Sequence, residues 1–178
     1  MKNLLRGILC ALSLMMAPMA YAGQGGPDAY GYTWKDSNEP GGPAFNWINI
    51  TTTGTQVTGL GDDNFVGPFG FIDGFQYYWY YPTQVWIGSN GYLSFSGNNF
   101  ASPFPIIPNT ASPHNFIAAM MSDLNFDGTG NPGTCYYRNG ADTIVVSWIN
   151  VPFWTNGTPS FIGSNSFQIV LVRSDRSI

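Results

Sequence analysis

Residues 85–95, Val-Trp-Ile-Gly-Ser-Asn-Gly-Tyr-Leu-Ser-Phe, set two short apolar runs on either side of Ser89-Asn90-Gly91. An Asn-Gly pair between such runs is a strong hairpin signal, because both residues tolerate the positive φ that a tight turn between twisted strands requires. The rest of the chain repeats this grammar: aromatic or β-branched runs separated by Gly, Pro, Asn and Asp. With 22 Gly, 13 Pro and 9% charged against 16% aromatic residues, the composition is poor for helices. No amphipathic helix is legible after the first 22 residues. Antiparallel strands at this spacing predict an all-β fold, a sandwich of jelly-roll-like type.

The first 22 residues are of a different kind. Lys2 and Arg6 precede an apolar run over residues 7–16, and Ala20-Tyr21-Ala22 supplies small residues where a signal peptidase reads. The run is interrupted by Pro18 and short for a bilayer span, so a cleaved leader is expected, with the mature chain starting at Gly23. Leu9 stands before Cys10 where a lipidation signal wants a small residue. Of 6 basic and 10 acidic residues, the leader holds two of the basic ones, and the mature chain is strongly acidic. An acidic surface without Lys/Arg clusters argues against nucleic acid and anionic membranes as partners. Cys135 is then the sole cysteine of the mature chain, which excludes an internal disulfide framework and predicts a buried thiol.

In chain order, residues 23–44 read as an ordered lead pinned by Tyr30, Tyr32 and Trp34, ahead of a single domain over residues 23–178. Residues 45–50 alternate and predict the first strand. Residues 65–72 carry Gly67-Pro68 and suit a sheet edge, since Pro cannot donate to a ladder. Residues 75–81 place six aromatics in seven positions and predict a strand buried on one face and covered or used on the other. Residues 97–115, with four prolines, predict an extended surface crossover. Apolar character resumes over residues 116–121. Strands are expected over residues 134–138, 143–151 and 166–173, the first two joined at Asn139-Gly140.

Chemistry is sparsely encoded. His114 is the only histidine and lies in a loop, so neither a nucleophilic triad nor a closed zinc shell can be assembled. No catalytic residue is assigned, and the chain is expected not to be an enzyme. Two acidic stretches stand out. Asp62-Asp63 sits in a Gly-flanked turn, where carboxylates accept backbone N–H groups. Asp123, Asn125 and Asp127, followed by Gly128, share the spacing of a calcium loop; Thr134 stands where an EF-hand needs Glu, so an EF-hand is excluded, no cofactor is expected, and a weaker β-loop calcium site is the candidate kept open beside that reading. Paired carboxylates could serve glycoside hydrolysis only if Asp62, Asp63, Asp123 and Asp127 converged in one cleft. Tyr78, Trp79 and Tyr80 are the candidate ligand-binding aromatics, since flat rings offer contact area at small entropic cost.

Ordered blocks at residues 116–119 (Phe-Ile-Ala-Ala), 122–123 (Ser-Asp), 135–138 (Cys-Tyr-Tyr-Arg), 145–151 (Val-Val-Ser-Trp-Ile-Asn-Val) and 166–171 (Ser-Phe-Gln-Ile-Val-Leu) resemble the extracellular nidogen-like domain. Residues 85–95 resemble the strand pair upstream of it. The opening Pro27-Asp28-Ala29-Tyr30-Gly31-Tyr32-Thr33-Trp34 is similar to the start of large secreted proteins of Bacteroidetes-like bacteria. These motifs are core patterns. The resemblance implies a secreted or cell-surface module for adhesion or interaction with an extracellular protein or glycan, without an active site. Rival readings are a carbohydrate-binding module and an accessory domain of a secreted hydrolase. The family pattern continues past the Phe-Gln-Ile-Val-Leu strand, which makes a fragment of a longer frame the expectation.

Overall fold

The computed structural model describes residues 23–71 and 73–178. The expected leader and Cys10 lie outside these residues. The backbone divides between Asn46 and Trp47 into two compact units.

In the first unit, β1 (Gln24–Gly25) and β2 (Trp34–Lys35) form a two-stranded antiparallel ribbon. Asp28 organises its turn: one carboxylate oxygen accepts the amides of Tyr30, Gly31 and Tyr32. The Trp34 ring lies over Gly23 and Gly25, where a Cβ would overlap it, so a side chain at either position would have to displace the ring.

The second unit is an antiparallel β-sandwich without a helix among the described residues. One sheet has the order β4 (Phe65–Gly70), β5 (Gln84–Gly88), β6 (Tyr92–Ser94), β7 (Phe116–Ala118). The other has the order β10 (Phe161–Val172), β9 (Thr143–Trp154), β8 (Thr134–Asn139), β3 (Thr55–Gln56). Inward side chains of both, including Val85, Ile87 and Leu93 from one and Cys135, Ile144, Val146, Trp148, Ile169 and Leu171 from the other, form one core. Two side chains tie the sheets directly. Trp148 Nε1 donates to the Gly88 carbonyl at 3.0 Å, and the Tyr137 hydroxyl donates to the Gly70 carbonyl at 2.8 Å. Each bond satisfies a polar atom whose burial would otherwise cost free energy.

The 85–95 hairpin forms as expected, with one difference. Tyr92 pairs with Gly88, leaving a three-residue loop in which Gly91 alone has positive φ, at 75°. Asn90 keeps an ordinary φ, because a type I turn followed by a left-handed glycine closes such loops. Its side chain is thereby released from turn-making. β4 lies at a sheet edge, as its Gly-Pro pair predicts.

Three expectations are corrected. Residues 45–50 join no ladder; instead Gln168 reads the backbone of Ile48, accepting its N–H at 3.0 Å and donating to its carbonyl at 2.7 Å. A side-chain amide replaces a strand partner at Ile48, and the same Gln168 amide donates at 2.7 Å to the hydroxyl of Ser147, which is wholly buried. Residues 75–81 are not a strand but a tight reversal, because Tyr77 and Tyr80 bond each other in both directions at 2.9 Å and Tyr78 takes φ 50°. The last strand starts at Phe161 rather than Ser166, its early part bulged between Ile162 and Phe167. Irregular register hides alternation.

Candidate functional site: a carboxylate junction and an aromatic turn

Residues 61–64, Gly-Asp-Asp-Asn, form a loop clipped to the 88–91 turn. Ser89 donates its backbone N–H to the Asn64 carbonyl at 2.9 Å, its hydroxyl accepts the Asn64 amide at 3.1 Å, and the same hydroxyl donates to the Asp62 carbonyl. Beside it, Asn90 is 0% exposed and uses both ends of its carboxamide. Its Nδ2 donates to Asp63 Oδ1 at 2.7 Å and to the Phe100 carbonyl at 3.1 Å, while its Oδ1 accepts the Leu124 amide at 2.8 Å. One buried side chain thus joins three loops.

The third of these runs along β9. Asp123 accepts the Trp154 amide through its carbonyl at 2.9 Å, and Asn125 N–H donates to Pro152 at 3.0 Å. This places the Asp123 carboxylate opposite the 61–64 loop. Carboxylate oxygens of Asp62, Asp63 and Asp123 lie within 4.8 Å of one another. Asp127 stands behind them, its Oδ2 accepting the Asp62 amide at 3.1 Å. A Cβ on Gly61 would sit 2.9 Å from that oxygen, so only glycine lets the two loops close.

Crowding of like charges has a visible cost. Burial pushes the Asp62 carboxyl up to about 6, with further contributions from Asp63, Asp123 and Asp127. Asp123 is raised too, by burial first and then by Asp63. Asp62 Oδ1 is shielded from solvent and has no hydrogen-bond partner among the described residues. Hard divalent cations are held by shells of oxygen ligands, carboxylates among them. The junction brings three carboxylates together. Of the four carboxylates whose convergence glycoside hydrolysis would need, the fold brings Asp62, Asp63 and Asp123 together and sets Asp127 against the Asp62 amide.

The sequence-derived set Asp123, Asn125, Asp127 is divided by the fold. Asp123 joins the cluster. Asn125, 1% exposed, is turned to structural work: its Oδ1 accepts the Asp127 amide at 2.7 Å and its Nδ2 donates to the Ser160 carbonyl at 3.0 Å. Asp127 braces Asp62. Asp62 and Asp63 are drawn in from sixty residues upstream by the chain's topology, and Asn90 holds them. Neither role leaves a spacing signature in the sequence.

At the 75–81 reversal, Trp79 is 76% exposed, Tyr80 and Tyr81 are also exposed, and Tyr78 is half-buried. The turn is fastened at its base. Tyr77 O–H donates to the Phe116 carbonyl at 2.9 Å and its ring packs 5.0 Å from Phe95, while the Tyr81 hydroxyl donates to the Asp73 carbonyl at 2.6 Å. His114 is exposed in the crossover, and Cys135 is 1% exposed, its thiol pushed up by burial and chemically quiet.

The succession of core strands around these sites also marks ancestry. A model of the family described as NIDO related matches residues 37–178. The chain belongs to this NIDO-related family. The match takes in the whole sandwich of the NIDO-related domain, with the carboxylate junction and the aromatic turn inside it. No curated protein and no solved structure matches the chain.

Proposed function

We propose that this NIDO-related domain is a non-enzymatic interaction module of a secreted or cell-surface bacterial protein, engaging an extracellular protein by its aromatic turn. The observation that carries this reading is the presentation of Trp79: a large ring 76% exposed on a turn whose neighbours are anchored in the core. Isolated exposed apolar residues are ordinary, but three adjacent aromatics on a fastened reversal supply contact area with little ordering entropy left to lose. Aromatic anchors of this kind dominate protein interfaces. The test is adhesion of the secreted chain to immobilised extracellular-matrix proteins. Saturable binding lost in Trp79→Ala, with an unchanged melting temperature, supports the reading; binding indifferent to Trp79, Tyr80 and Tyr81 overturns it.

A second reading concerns the carboxylate junction. Calcium, the hard dication suited to an extracellular oxygen site, is its proposed ligand, held by Asp62, Asp63 and Asp123 with Asn90 orienting Asp63. Its chemistry here would be structural, neutralising the mutual repulsion of the carboxylates and tying the 61–64 loop to the 123–127 loop. Calcium titration followed by tryptophan fluorescence and melting temperature tests it.

A further inference from the structure

The Pro-rich crossover leaves a groove of about 520 Å³ between its two ends, with Asn98 to Ala101 on one side and Ser112 and Pro113 on the other. One wall is fixed by the hairpin. The Phe100 ring, 4% exposed, packs 4.5 Å from Tyr92 and 4.7 Å from Phe116. Phe100 N–H donates to the Tyr92 hydroxyl at 3.0 Å, and Asn98 N–H donates to Ser94 Oγ at 3.1 Å. Asn99 is held as well, its Oδ1 accepting the Tyr92 hydroxyl at 3.2 Å and its Nδ2 donating to the Asp63 carbonyl at 3.0 Å. Pro103, Pro105 and Pro113 stiffen the rest of the lining.

The lining chemistry selects among ligands. None of its residues is charged, which leaves no counter-charge for a phosphate, a carboxylate or an ammonium group. The side chains of Asn98 and Ser112 carry no hydrogen bond to the protein among the described residues, and they face the same groove. Between them lie flat pyrrolidine faces. Donor and acceptor groups alternating with small apolar faces complement a hydroxyl-bearing ring whose C–H faces are apolar. The volume falls within the ~300–1,000 Å³ of ordinary ligand pockets, enough for one or two sugar rings.

We infer that this groove is a binding site for a neutral saccharide, with Asn98 and Ser112 as its hydrogen-bonding side chains and Asn99 as a positioning residue. The site shares no ligand-contacting side chain with the aromatic turn or the carboxylate junction. It therefore stands whether or not the aromatic turn binds protein.

The test is amide chemical-shift mapping of the folded chain with lactose, maltose, cellobiose and chitobiose. At least one should give saturable shifts centred on residues 98–101 and 112. Asn98→Ala and Ser112→Ala should each weaken that affinity by about tenfold, the loss of one or two good hydrogen bonds. Ala101→Trp should abolish it by filling the groove, and Trp79→Ala should leave it unchanged. Absence of shifts at the groove with all four sugars overturns the inference. So do shifts centred on residues 78–81, which would assign the sugar to the aromatic turn.

Discussion

The Asn90 carboxamide donates to the Asp63 carboxylate at 2.7 Å from a position with 0% exposure, and so couples a hairpin turn in the core to an acidic loop at the surface. The same side chain accepts Leu124 N–H and donates to the Phe100 carbonyl. The carboxylate junction and the fixed wall of the crossover groove therefore share one support. Whatever loosens Asn90 loosens both.

Asn90→Ala strands the Leu124 amide and the Phe100 carbonyl in a dry interior. Each buried group left unsatisfied costs about 1–3 kcal/mol, so a loss of about 2–4 kcal/mol is expected. Urea unfolding should show it as a lower midpoint with an unchanged slope.

Metal-free, the junction favours acid. Asp62 titrates near 6 in the folded chain against an ordinary 3.8, so the native state holds a proton that the unfolded state releases between those values. Stability from this group is therefore greatest below about 4 and declines as pH rises towards 6. Asp123 acts in the same direction. Thermal melts in chelator should rise on going from pH 7 to pH 5, and Asp62→Asn should flatten that slope. A melting temperature falling over this window in the parent, or an identical slope in the variant, contradicts the assignment.

Calcium should replace the proton. In excess calcium at pH 7 the melting temperature should increase, by mass action on the native state, and the acid dependence should shrink. Asp62→Asn, relieved of its like-charge neighbours, should melt higher than the parent in chelator and respond less to the ion. Equal calcium responses in the two proteins would remove Asp62 from the proposed ligand set.

Trp148 bears on the sandwich itself. Its ring stacks on Phe167 at 5.1 Å and its Nε1 bonds across to Gly88 at 3.0 Å. Trp148→Phe keeps the stack and removes this bond, while the Gly88 carbonyl still accepts the Gly91 amide at 3.3 Å, so it should cost about 1 kcal/mol. Trp148→Ala should cost about 3–5 kcal/mol. By contrast Trp79→Ala should stay within about 0.5 kcal/mol of the parent, as exposed sites do. Equilibrium unfolding of the three variants orders them.

Local sequence determined the elements whose cause is local. Alternation in residues 134–138 and 143–151 and the turn signals at Gly91 and Gly140 mark strands that the chain forms, and Gly67-Pro68 marks an edge strand. An aromatic-rich run at 75–81 and an alternating run at 45–50 looked like strands by the same rule. Whether they pair depends on partners elsewhere: the Tyr77–Tyr80 reversal and the Gln168 amide claimed their backbones first.

The candidate sites divide along the same line. The sequence by itself determined an acidic, β-rich domain with exposed-capable aromatics and two carboxylate stretches, because composition and turn chemistry are properties of adjacent residues. Only the tertiary structure decided that Asp123 joins Asp62 and Asp63, that Asn125 is a buried brace, and that Asn90 supports the junction. Carboxylate repulsion acts through space, and it is the folded sandwich that brings residues sixty apart in the chain within its reach.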